Sequence, residues 1–292
     1  MEGVIIKGMG GLYTVRDAQG ENYILRCKGK FRRLHMTPMV GDNILFTPGE
    51  GDQHGWLDEI KPRISECIRP PVANVERMML VMAPAPAPDL LLIDRLMIRA
   101  RRQNIQPVIV FNKCDLDANG LAEEIQRQYA DAQVPFFKVS AKGGIGLENL
   151  KAAMQGKLIC FAGQSGVGKS TLLNALFGWE LKTGEISQKI ARGKHTTRHA
   201  ELMEQGGLRV LDTPGFSMLD LEEKTDPVLL QDSYPEFEPY LGQCRFAPCY
   251  HYKEPGCKVL EAVKEGYISP ERLERYHHLL ELAKEEGRNR YD

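Results

Sequence analysis

The chain has 292 residues, of which 42% are hydrophobic and 26% charged, with a formal net charge of −1. That length supports a sizeable buried core and predicts more than one domain, while the composition is that of a folded, water-soluble chain. A charge near zero excludes a global pull toward nucleic acid or membrane, so contact with a polyanion must come from local patches.

Residues 1–66 read as short strands between Gly-rich turns, with Val4 and Ile6, Tyr13 and Val15, and Tyr23, Leu25 and Cys27 alternating with polar neighbours. Stretches 43–46 and 56–60 bring the total to five, which suits a small barrel of the oligonucleotide-binding type or an SH3-like one; periodicity does not separate them. After Pro70-Pro71 the pattern changes to strand and helix in alternation. Strands are expected at 75–82, 107–111, 136–139, 158–162 and 208–211, and helices at 91–102, 121–129, 147–154 and 169–176. Such alternation predicts a parallel sheet with helices on both faces, over residues 67–221. A third segment, 222–292, carries a Cys/His cluster, reads as poor in apolar residues, and ends in a helix capped by Ser269-Pro270 and stopped near Gly287. The apolar stretches at 78–88 and 90–93 are too short to span a bilayer, and Met1-Glu2-Gly3-Val4 does not open like a signal peptide, so a cytoplasmic protein is expected.

Four loops at predicted strand ends share one chemistry. Gly163-Gln164-Ser165-Gly166-Val167-Gly168-Lys169-Ser170 fits G-x-x-x-x-G-K-[ST] between a strand and a helix. Glycines let backbone N–H groups close around phosphates at the helix start. Lys169 is expected to neutralise the β/γ oxygens, Ser170 to ligate Mg²⁺, and Thr171 to lie against the nucleotide. Asp212-Thr213-Pro214-Gly215 supplies a carboxylate for the Mg²⁺ shell and a glycine whose N–H can meet a γ-phosphate. Asn112-Lys113-Cys114-Asp115 places a carboxylate where guanine offers two N–H donors and adenine does not, and Ser140-Ala141-Lys142 is its companion for the guanine carbonyl. Ligands of open α/β sheets bind at these strand ends. Here the guanine loops precede the phosphate loop, a circular permutation that joins old termini near Gln155-Gly156. Within Gly193-Lys194-His195-Thr196-Thr197-Arg198, Thr197 or, second, Thr196 is expected to close on Mg²⁺, and His195 either orients the attacking water or is merely solvated. Phe216 stands where small GTPases carry a water-orienting glutamine, so slow intrinsic hydrolysis is expected.

Cys244, Cys249, His251 and Cys257 form C-x4-C-x-H-x5-C. Three thiolates and an imidazole make a closed tetrahedral zinc set with no open position, expected to hold a single structural ion and to supply much of that segment's folding energy. Seven cysteines in all, an odd number, agree with a reducing compartment rather than a disulfide framework. Cys27 and Cys160 read as ordinary buried residues.

With guanine loops ahead of the phosphate loop, a barrel before them and the Cys-Cys-His-Cys cluster after, the chain closely resembles the circularly permuted ribosome small-subunit-dependent GTPase A (RsgA) family. Asn112–Asp115, 163–170, 195–197, 212–215, the four metal ligands and Val40-Gly41-Asp42 carry the resemblance. It implies an oligonucleotide-binding barrel, late maturation of the small ribosomal subunit, rRNA contacts through the barrel and zinc domains, and GTP hydrolysis to GDP stimulated by the subunit. Independently, Arg26, Lys28, Lys30, Arg32 and Arg33 form a basic stretch with Tyr23 and Phe31 as stacking partners for RNA; a solvated strand face would look similar. A signalling GTPase docking a protein through its zinc domain, and a nucleotide-binding scaffold, are the competing classes. No membrane partner and a monomer are expected.

Overall fold

The computed structural model describes residues 1–34, 36–51, 53–67, 70–178, 200–212 and 226–288. Five strands come first: β1 (Glu2–Met9), β2 (Leu12–Asp17), β3 (Asn22–Cys27), β4 (Asn43–Thr47) and β5 (Gly55–Ile60). They close in the order β1-β2-β3-β5-β4-β1, with β3 and β5 parallel and the other pairs antiparallel. The alternation that marks the strands sends Ile5, Val15, Leu25, Ile44, Phe46 and Leu57 into one core. This closed ring of five fits the oligonucleotide-binding barrel.

A short helix, α1 (Gly29–Arg33), follows β3 and was not expected from the sequence. It turns Phe31 into the core, 4% exposed, and Tyr23 packs its ring 5.1 Å from Phe46. Phe31 is therefore not a stacking partner for RNA, because its helical turn points it inward, whereas Lys30 and Arg33 beside it are exposed. Val40-Gly41-Asp42 proves to be a structural lock. Gly41 has φ +96°, and a Cβ there would sit 2.1 Å from the Ala73 carbonyl oxygen. Asp42, wholly buried, accepts from the Met39 N–H (2.7 Å) and from Arg63 Nε (2.7 Å). A small ribbon, β6 (Glu66–Cys67) with β7 (Val72–Ala73), leads out of the barrel.

The central unit comprises β8 (Arg77–Met82), α2 (Leu90–Arg102), β9 (Gln106–Phe111), α3 (Leu121–Gln128), β10 (Phe136–Lys138), α4 (Leu147–Met154), β11 (Leu158–Ala162), α5 (Lys169–Phe177), β12 (Glu201–Gln205) and β13 (Leu208–Asp212). The sheet order is β10-β9-β8-β11-β13-β12, parallel except for β12, which pairs antiparallel with β13. In β8, Met78, Leu80 and Met82 pack with Ile93, Leu96 and Met97 of α2, while Met79 and Val81 pack with Leu150 of α4 and Leu172 of α5. Burial on both faces explains the unbroken apolar run. Strands that come early in the chain lie on one side of β11 and later ones on the other, so the permuted order leaves the sheet intact. Gly156, at φ +69°, makes the turn into β11, and its N–H donates to the Gly207 carbonyl (3.2 Å). Barrel and sheet meet where Lys7 of β1 pairs with Glu201 of β12 (Nζ to Oε2, 3.1 Å).

The C-terminal segment has 3-10 turns at Pro227–Ser233 and Pro235–Tyr240, then α6 (Lys258–Lys264) and α7 (Pro270–Arg288). Ser269 Oγ accepts from the Arg272 N–H (3.2 Å), as a cap should, and the helix runs one residue past Gly287. The expectation of little apolar content was wrong. Tyr234, Phe237, Tyr276, Leu279 and Leu280 build a core, with Phe237 and Tyr276 at 4.9 Å between centroids, and Ile98 of α2 joins it.

Candidate functional site: a phosphate loop, a base pocket and a Cys/His centre

The loop after β11 turns sharply because its glycines permit it. Gly163 has φ +133°, and a Cβ on it would sit 2.1 Å from the Val81 carbonyl oxygen; Gly166 and Gly168 have φ of +81° and +93°. Gly168 is the N-cap of α5 and carries no side-chain cap, so the first N–H groups of Lys169, Ser170 and Thr171 face outward as donors for an anion. Lys169 folds back, its Nζ donating to the carbonyls of Gly163 (2.8 Å) and Gln164 (2.6 Å). Burial lowers its ammonium to about 8. Ser165 is exposed at the loop tip and Val167 is buried beneath it.

Asn112, buried at the end of β9, is a strut between loops. Its Nδ2 donates to the Val167 carbonyl (2.9 Å), and its Oδ1 accepts from the Ala141 N–H (3.1 Å), joining three loops. Lys113, with φ +58°, donates from Nζ to the carbonyls of Gly166 (2.8 Å) and Ala85 (2.6 Å). Asp115 is left exposed beside them. Ser140 Oγ accepts from the Gly143 N–H (2.9 Å), fixing the turn that presents Ala141 and Lys142.

Together Asn112, Lys113, Asp115, Ser140, Ala141, Lys142, Gly168 and Thr171 line a cavity of about 150 Å³, next to the phosphate loop. Leu116 also lines it, 61% exposed, and sequence reasoning did not select it. An apolar residue directly after the carboxylate expected to read a base edge is the available signal, since a planar base needs an apolar surface against its face. His195, Thr196, Thr197, Thr213, Gly215 and Phe216 lie outside the described residues, as does the side chain of Asp212 at the end of β13.

The four cluster residues converge. Their ligand atoms all lie within 4.8 Å of one another. Cys244 Sγ is 3.8 Å from Cys257 Sγ and 3.7 Å from His251 Nδ1, and His251 Nδ1 is 3.2 Å from Cys257 Sγ. A zinc–sulfur bond of about 2.3 Å implies a tetrahedron edge of about 3.8 Å, so the set has the size of a zinc site. Burial pushes the Cys257 thiol up to about 12, raises Cys249 and lowers His251. Three thiolates are costly there without a cation to offset them, which is the chemistry of a metal centre. Gln231 Oε1 lies 2.6 Å from His251 Nε2; by accepting a hydrogen bond from Nε2–H it fixes the tautomer that leaves Nδ1 free for metal. Gln231 was not legible in the sequence because it comes from a 3-10 turn outside the motif.

The RsgA GTPase family model matches residues 60–222, and the RsgA N-terminal domain model matches residues 2–57. A relative from Ruminiclostridium cellulolyticum, named small ribosomal subunit biogenesis GTPase RsgA, is 44% identical over 97% of this chain and 94% of its own length. A relative of the same name from Clostridium novyi is 41% identical over the full length of both. Among solved structures, YjeQ from Thermotoga maritima has a TM-score of 0.84 at 34% identity, covering 97% of this chain and 98% of that one. YloQ, described as a circularly permuted GTPase, has a TM-score of 0.80 at 33% identity, covering 98% and 95%. With converging guanine-type loops in permuted order and a match along its whole length, this chain belongs to the RsgA GTPase family.

Proposed function

We propose that this chain is a GTP-hydrolysing factor that acts in late maturation of the small ribosomal subunit. It binds rRNA, and the subunit stimulates its turnover. The observation that carries this reading is the meeting of a guanine-type pocket and a phosphate loop in a chain related end to end to small ribosomal subunit biogenesis GTPases. The site residues divide by chemistry. Asp115 reads the base edge, with Ala141 and Lys142 at the carbonyl side and Leu116 against its face. The N–H groups of 163–171 and the Lys169 ammonium hold the phosphates, while Ser170, Thr197 or Thr196, and Asp212 surround Mg²⁺. His195 orients the attacking water, the task that a glutamine performs in small GTPases at the position of Phe216. A single zinc at Cys244, Cys249, His251 and Cys257 serves structure alone. The working divisions are 1–66 for the barrel, 67–221 for the GTPase unit and 222–292 for the zinc unit. No described helix is long and apolar enough to cross a membrane, and a cytoplasmic monomer suits the proposed work. A signalling GTPase without RNA is the less favoured reading.

Two measurements follow directly. Since burial lowers Lys169 to about 8 in the free protein, a bound polyphosphate must raise it, so protons are taken up on binding near that pH. Affinity for GDP is expected to be flat below pH 8 and to weaken above it, by up to about tenfold per pH unit. Titrations at pH 7 and 9 giving one dissociation constant would contradict this.

The second concerns RNA. On the outer barrel face, Arg26 of β3 lies in register with Trp56 of β5, and Trp56 and Ile24 are 46% and 50% exposed. Lys28 is paired with Asp58. Trp56, not Phe31, is thus the aromatic surface available for a base, with Arg26 as its charge. The double change Arg26→Glu and Trp56→Ala is expected to weaken subunit binding at least tenfold and to flatten its salt dependence. Undiminished affinity at moderate salt would remove this face from the contact.

A further inference from the structure

Between α2 and the C-terminal segment lies a buried set of charges that nucleotide binding does not use. One of them, Asp94, sits on the helix that the phosphate loop holds. At the start of α2, the Asp89 N–H donates to Gln164 Oε1 (3.0 Å), and Gln164 Nε2 donates to the Ala87 carbonyl (3.2 Å). The Asp89 carboxylate caps the helix by accepting from the Leu92 N–H (2.9 Å). Farther along, Asp94 is wholly buried and accepts from Arg275 Nε (2.7 Å), from Arg272 Nη1 and from the Tyr129 hydroxyl. Arg272 turns its Nε to Glu236 Oε1 (2.8 Å), and its guanidinium lies 4.9 and 4.6 Å from the ring centroids of Tyr129 and Tyr234. Arg275 reaches Gln128 Oε1 at the end of α3 through Nη1 (2.9 Å).

Asp94 and Glu236 balance Arg272 and Arg275 in charge, and in a buried setting removal of any one partner leaves an uncompensated ion. The set is nevertheless incomplete: Glu236 Oε2, the Tyr234 hydroxyl and Arg275 Nη2 are buried with no hydrogen-bond partner among the described residues. A clamp with unused donors and acceptors can re-pair when α2 shifts, whereas a fully bonded one would hold a single arrangement.

We infer that α2 couples the phosphate loop to the Cys/His segment, with Asp94 and Arg275 as its positioning residues. The inference rests on reading 163–170 as the phosphate loop. Phosphates entering that loop fix the Gln164 backbone and, through its side chain, the start of α2. The same helix then seats Asp94 against α7. Coupling between two sites is reciprocal, so the seating of α7 also sets how well the loop holds nucleotide.

The test is hydrogen exchange of the α7 amides in the full-length protein, with and without GDP, alongside a fluorescent-GDP titration. In the wild type, GDP is expected to slow exchange in α7 several-fold. In Arg275→Gln and Asp94→Asn, GDP should still bind, several-fold more weakly, while α7 exchanges at one rate whether or not GDP is present. A clamp that serves stability alone would speed exchange in both states and leave the GDP-dependent difference intact; that outcome overturns the coupling, as does a wild-type α7 indifferent to bound GDP. Arg275, partly exposed, is the milder change and decides the matter if Asp94→Asn does not fold. A wild-type protein that fails to bind GDP at all overturns the reading of the phosphate loop, and the coupling with it.

Discussion

Asp115→Asn is expected to weaken GTP binding by about 10²- to 10⁴-fold while leaving the fold intact. The carboxylate is exposed at the rim of the base pocket, so its loss removes no packing. In the role proposed for Asp115, what it removes is a pair of charge-assisted hydrogen bonds to the guanine ring N–H and exocyclic amine, each worth about 1.5–3 kcal/mol. An Asn carboxamide presents one acceptor and one donor to the same edge. It leaves one guanine N–H facing another donor, but suits a base that carries a carbonyl in place of the amine. Xanthosine triphosphate should therefore gain affinity as GTP loses it, and ATP should remain a poor ligand for both proteins. Competition against a fluorescent guanine nucleotide reads all three. A variant that keeps its GTP affinity would show that Asp115 does not read the base.

Cys257→Ser is expected to abolish stoichiometric zinc and to loosen the C-terminal segment while nucleotide binding survives. The thiol is buried and lies 3.2 Å from His251 Nδ1 and 3.8 Å from Cys244 Sγ, so a hydroxyl there leaves the ion one thiolate short. Zinc contributes about 10–16 kcal/mol in isolated finger peptides. The aromatic core around Tyr234, Phe237 and Tyr276 shares the task here, so a loss of about 3 kcal/mol is the expected scale. For a segment of this size that corresponds to a fall of roughly 10–20 °C in its melting temperature. Elemental analysis and thermal unfolding followed through tyrosine signals measure both. Retained zinc, or an unchanged transition, contradicts the assignment.

What could be seen in the sequence was whatever nature writes contiguously. The phosphate loop, Asn112–Asp115, Ser140-Ala141-Lys142 and the metal ligands each carry their chemistry within a few residues, and the structure brings the first three groups to one pocket and the last to one centre. The five barrel strands were legible because one face is buried and the other wet. Features set by distant packing were not. Phe31 lies in a basic stretch that suggests exposure, yet a single helical turn buries it. β12, with sequence Glu-Leu-Met-Glu-Gln, has one buried residue and no strong alternation; its place comes from pairing with β13 and β1. Nothing local in Asp94 announces Arg272, 178 positions away, nor could spacing assign Gln231 to His251. The aromatic core of the C-terminal segment was likewise hidden, since Tyr234 comes from the junction of two 3-10 turns, Phe237 from the second turn and Tyr276 from a helix, and these meet only in space.

In the function proposed here, the guanine-nucleotide site serves the small ribosomal subunit. GTP turnover by the purified protein, measured alone and with purified small subunits, tests it most directly. A slow basal rate that rises many-fold with the subunit, and does so with GTP but not ATP, is the predicted result. One rate for both conditions, or equal use of ATP, would contradict it.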